Sequence, residues 1–73
     1  MEVGQQVAWI LARDDEGKPE ALGVGEVLAY DLETLTVVVK EHYAVHRAWG
    51  PSNESAGSVY PKGASELYEV GQL

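Results

Sequence analysis

The run Leu22-Gly-Val-Gly-Glu-Val-Leu-Ala-Tyr30, then Asp31-Leu-Glu-Thr34, then Leu35-Thr-Val-Val-Val-Lys-Glu41 decides the fold. Val37-Val38-Val39 is the strongest β signal in the chain, because branched side chains pack well on a pleated surface. With a period of two, Leu35, Val37 and Val39 face inward, and Thr36, Val38 and Lys40 face outward. Asp31 to Thr34 reads as a tight turn, since an aspartate side chain bonds backbone amides ahead of it. Strand, turn and strand therefore make an antiparallel hairpin. Gly23 and Gly25 inside the first of these strands predict a bulge, a sharp bend or a close approach of another backbone.

Working outward, residues 6–12 (Gln-Val-Ala-Trp-Ile-Leu-Ala) form another apolar strand, with Val7, Trp9 and Leu11 on one face and Trp9 in the core. Residues 13–20 (Arg-Asp-Asp-Glu-Gly-Lys-Pro-Glu) have the composition of an exposed loop, with Gly17 and Pro19 as turn residues. Residues 42–58 are the least regular part, and the segment near 43–58 is expected to be a mobile loop. A short strand at Val59-Tyr60 stops at Pro61, one helical turn follows over 62–66, and Leu67 to Val70 makes the last strand. Residues 71–73 are expected to fray.

Five short strands at this spacing predict one all-β domain over residues 1–73, a small five-stranded antiparallel barrel with long loops. The Gly23-x-Gly25-x-Val27 run, the turn and the Val-rich strand resemble SH3-like barrels of the Tudor or KOW type. The ending Pro61, then Ala64-Ser65-Glu66-Leu67-Tyr68-Glu69-Val70, is similar to the one-turn 3₁₀ helix and last strand that close such barrels. The resemblance covers roughly residues 4–70. It departs from the nucleic-acid-binding members in lacking clustered basic residues, and no aromatic cage is visible.

Composition excludes several classes. The 73 residues contain no cysteine, which removes disulfides, thiolate metal sites and a Cys nucleophile. Twelve acids against five bases give a net charge of −7. The bases, Arg13, Lys18, Lys40, Arg47 and Lys62, are scattered, so the chain repels phosphate backbones and anionic membranes. Direct nucleic-acid and membrane partners are not expected. No apolar run has membrane-spanning length and no signal peptide is visible, so a cytoplasmic location is expected.

Motifs for chemistry are weak. His42 and His46 would share a helix face at their four-residue spacing, but they fall at a strand end and in a loop, without a third ligand of recognisable spacing. No metal and no cofactor is expected. Asp14, Asp15 and Glu16 sit on a solvated loop, where nothing raises a carboxyl pKa as general acid catalysis requires. The Gly-x-Gly pair lacks the third glycine and the helix of a phosphate loop. Catalytic residues are therefore not assigned, and the chain reads as a non-enzyme.

A protein-binding module fits better. The acids Asp14, Asp15, Glu16 and Glu20 on one loop, with Tyr43, Arg47 and Trp49 on the other, would meet a basic protein surface. Trp49 could equally cap one end of a barrel. In length, acidity, lack of cysteine and all-β character, the chain resembles the small acidic bacteriophage transcription regulators that bind host bacterial RNA polymerase. That resemblance implies the N-terminal region of the β′ subunit as partner, with inhibited initiation through weakened sigma-factor engagement, and altered termination. It transfers no residue role. A monomer in the host bacterial cytoplasm is the corresponding expectation. Alternatives are an accessory subunit of a larger complex, marked by an apolar outer face including Val38, and a nucleic-acid-binding small barrel, which the charge opposes.

Overall fold

The computed structural model describes residues 1–70. Six strands follow one another: β1 (Gln6–Arg13), β2 (Pro19–Asp31), β3 (Thr36–His46), β4 (Gly50–Ser52), β5 (Val59–Gly63) and β6 (Leu67–Glu69). A single 3₁₀ turn, Ala64–Glu66, separates β5 from β6. The fold is all-β, every strand pairing is antiparallel, and no α-helix occurs among the described residues.

Strands β1, β2 and β3 form a meander, extended by β6 on the outer side of β1 and by β4 on the outer side of β3. Strand β5 pairs with the first half of β3, Thr36 to Lys40, while β4 pairs with its last residues, Ala44 to His46. The sheet is not closed into a barrel, because β5 and β6 share no ladder. It is curved nonetheless. Tyr60 from β5 meets the Trp9 ring edge-on at 6.3 Å, and Leu67 from β6 packs on the same core of Val7, Trp9, Val27, Val37 and Val39.

Several expectations need correction, among them the stop at Pro61, which instead pairs with Val38 inside β5 and leaves only Ala64–Glu66 to the helical turn. Among the described residues the strands number six, because Gly50-Pro51-Ser52 pairs with β3 despite its loop-like composition. Within the segment expected as a loop near 43–58, Tyr43 to His46 continue β3 and Gly50 to Ser52 form β4. The loop expected over 13–20 shrinks to the turn between Arg13 and Pro19. The fraying expected at 71–73 lies outside the described residues.

Bulges explain where simple alternation fails. Ile10 pairs with Leu22 and Ala12 with Ala21, leaving Leu11 as an extra residue, so it lies 45% exposed instead of inward beside Trp9. Leu35 is also outside the core, because it takes a left-handed conformation (φ 55°) at the end of the β2–β3 turn. Asp31 holds that turn as expected, its Oδ1 accepting from the amide of Glu33 at 2.9 Å.

The two glycines of β2 are close-approach positions. A side chain at Gly23 would run into the indole of Trp9, and one at Gly25 into the backbone carbonyl of Lys40. Gly25 also stands at a bulge, where His42 is the extra residue of β3. Trp9 can thus lie flat against β2 and bury its full area, which for a side chain of this size contributes a few kcal/mol.

Candidate functional site

The site lies at the end of the sheet where β1 turns into β2 and β3 turns into β4. Asp14 organises the first turn. Its Oδ1 accepts from the amides of Glu16 and Lys18, each at 2.9 Å, and Gly17 adopts φ +83° to complete the reversal. Its Oδ2 accepts from Nη1 of Arg47 at 3.0 Å, which pins the first turn to the second. These donors, the Lys18 amide first and the Arg47 guanidinium next, hold the Asp14 carboxyl below its ordinary value of 3.8. The Arg47 amide also donates to the Glu20 carbonyl at 2.9 Å, so the second turn is tied to β2 as well.

His46 closes β3 and pairs with Gly50 of β4. Its Nδ1 accepts from the Ala48 amide at 3.0 Å, which leaves the proton of the neutral ring on Nε2, 3.6 Å from Glu20 Oε1. The imidazole stacks on the Trp49 indole, with 3.7 Å between centroids and 12° between planes. That stack fixes Trp49 while leaving it 74% exposed. A rigid, exposed aromatic on a tied turn costs little further ordering when it meets a partner.

The structure brings Asp14, Glu20, Arg47 and Trp49 to one end of the molecule. Tyr43 stands apart, beside Pro51 to Asn53 on another face of the hairpin. Of the acids read from sequence as open carboxylates, Asp14 meets Arg47, Glu16 meets Lys18 at 3.3 Å, and Glu20 stands 3.6 Å from the His46 ring. Asp15 makes no such pair among the described residues. Exposed pairs of this kind contribute little to stability, but they reduce the negative charge presented to a partner.

Three groups were missed by sequence reasoning. His46 was weighed as a metal ligand and then read as an ordinary, partly exposed histidine, whereas it positions Trp49; the signal was its place three residues before the tryptophan across a hairpin closed by Gly50. Glu54, just past β4, borders a hollow of about 440 Å³ together with Ala21, Ala44, Val45, His46 and Trp49. Glu41, the one buried charged side chain among the described residues, accepts from the Ser55 hydroxyl on one oxygen, and its other oxygen has no partner.

The two histidines do not share a centre. His42 Nε2 lies 3.1 Å from Glu26 Oε1, whereas His46 faces Glu20. Among the described residues no three metal-ligating side chains converge, and no helix is long and apolar enough to cross a membrane. Comparison with protein families, with curated proteins and with solved structures finds no match.

Proposed function

We propose that the chain is a non-enzymatic protein-binding module whose contact centre is Trp49. The observation that carries this reading is an indole held by a stacked imidazole yet open to solvent over most of its surface. Tryptophan and arginine dominate contact energies at interfaces, and here Arg47 and Trp49 share one turn. A net charge of −7 steers such a module toward a basic surface.

The partner follows from the resemblance to small acidic phage regulators: the N-terminal region of the β′ subunit of host bacterial RNA polymerase, with initiation inhibited. Within this proposal the fold is an open relative of the SH3-like barrels. Its support is the three-strand meander flanked by β5 and β6, which are joined through a 3₁₀ turn capped by Glu66 Oε2 on the Gly63 amide at 2.7 Å. The cations argue against a nucleic-acid reading. Arg47 is paired with Asp14, Lys18 with Glu16, Arg13 donates to the Gly17 carbonyl, and Lys62 lies over the Tyr60 ring at 5.7 Å.

Co-elution of the purified chain with purified bacterial RNA polymerase tests the proposal. A stable complex is expected, weakening as salt is raised from low to high concentration because screening shortens the reach of the acidic surface. Absence of a complex at low salt overturns the polymerase assignment, and a salt-insensitive complex overturns the electrostatic account of it.

A further inference from the structure

The hollow beside Trp49 combines three features that individually mean little. Its apolar lining comes from Ala21, Ala44 and Val45, its aromatic lining from the His46–Trp49 stack, and its one carboxylate from Glu54. Glu54 is exposed, and among the described residues its side chain has no cation of its own chain. Its backbone is anchored by the Glu54 amide donating to Ser52 Oγ at 3.4 Å. We infer that this hollow is the seat for a cationic side chain of the partner, arginine in preference to lysine. The inference rests on the protein-binding reading above and names the chemistry of the residue that is bound.

The chemistry of arginine matches each wall. Its methylene stem covers apolar surface while the charged head stays polar. The planar guanidinium stacks on an aromatic ring and donates two parallel N–H bonds to a carboxylate, neither of which a lysine ammonium reproduces. A volume of about 440 Å³ is large enough for such a side chain. An acidic side chain would meet Glu54 and the chain's overall charge of −7. A purely apolar one would leave the Glu54 carboxylate to lose water without compensation. The neighbouring groove lined by Pro19, Glu20, Leu22 and Val45 is of similar size, but Arg47 also lines it and sets a like charge against the Glu20 carboxylate's pull on a second cation there.

A titration of the full chain with N-acetyl-arginine amide, followed by amide and indole N–H chemical shifts, tests the inference. N-acetyl-citrulline amide has nearly the same shape without the charge and is the control. Arginine should shift the Trp49 indole and the Ala44 and Glu54 amides, with an affinity about tenfold above that of citrulline. Glu54→Gln should remove most of that preference while leaving the fold intact, because Glu54 is exposed. Equal binding of citrulline, shifts mapping to another face, or a Glu54→Gln variant with unchanged preference overturns the inference. If Trp49→Ala abolishes polymerase binding but arginine gives no response, the inference fails and the protein-binding reading stands. If arginine binds as described and polymerase does not, the polymerase assignment fails and the seat remains.

Discussion

The two ends of this sheet are held by different physics. At one end Val7, Trp9, Val27, Val37 and Val39 are almost fully buried and pack as one apolar cluster. At the other, Asp14, Glu20, His46 and Arg47 cross-link two turns through hydrogen bonds and charge, and the largest side chain, Trp49, faces solvent. The first end makes the chain fold. The second uses the rigidity supplied by the first to present an aromatic group. Substitutions should therefore split into those that unfold the protein and those that leave it folded but unable to bind.

The largest effect is expected at Trp9. Truncation to alanine removes the biggest side chain of the core and costs about 3–5 kcal/mol. A domain of this size commonly has only ~3–5 kcal/mol in total, so Trp9→Ala should be unfolded at 25 °C by circular dichroism. Gly23→Ala probes the same contact from β2, because its new methyl group would strike the indole. In the double variant Gly23→Ala/Trp9→Leu the two losses should fall well short of additive. Additive losses, or a cooperatively folded Trp9→Ala, would remove Trp9 as the centre of the core.

Glu41 comes next, as the polar exception inside the apolar end. It shares the inward phase of Val37 and Val39, and its neighbours Gly57 and Ser58 are bound to its backbone at 2.7 and 2.9 Å. Ser55→Ala withdraws the hydroxyl that serves its carboxyl group, which should cost about 1–3 kcal/mol because the acceptor cannot reach water. Urea unfolding measures the loss. A change indistinguishable from zero would mean that the 53–58 segment admits water to Glu41.

The polar end is expected to respond to acid. Asp14 has a lowered pKa in the folded chain, so its stabilising contribution is complete above the ordinary value of 3.8 and disappears as pH falls through the lower folded value. The carboxyl carbon of Asp14, followed by NMR, should titrate with a midpoint below 3.8. Arg47→Ala should move that midpoint upward, though not fully, since the Lys18 and Glu16 amides still donate. A midpoint unmoved by the substitution would show that the two turns are not coupled through this pair.

The same division explains what the residues revealed before any coordinates. The β2–β3 hairpin, the inward faces of Val37 and Val39, the burial of Trp9 and the tight fit at Gly23 and Gly25 follow from periodicity and side-chain size, which are local properties. Leu11 was misplaced because a bulge one residue long inverts the alternation, and no residue type announces it. Strand β4 was hidden because Gly-Pro-Ser has turn composition, and only pairing with Ala44 to His46 makes it a strand. The acids at 14–20 were legible as a charged turn, but their partners Arg47 and His46 lie about thirty residues away along the chain. Pairings at that separation depend on the register of β2 with β3, which sequence constrains only through the buried face.

The smallest effect on stability is expected where the effect on binding is greatest. Trp49→Ala removes one ring of the stack with His46, but the turn keeps the Arg47–Asp14 pair, the Arg47 amide to the Glu20 carbonyl, and the Ala48 amide to His46 Nδ1. An exposed side chain away from the core should therefore cost about 0.5 kcal/mol or less. Loss of an interface tryptophan, by contrast, commonly costs 2 kcal/mol or more of binding, roughly thirtyfold in affinity. The thermal midpoint of Trp49→Ala should stay close to that of the parent, while the complex proposed with polymerase should be lost at matched concentration. A variant that melts early would place Trp49 among the structural residues, and one that binds normally would move the contact centre to Tyr43 and the hollow beside Pro51.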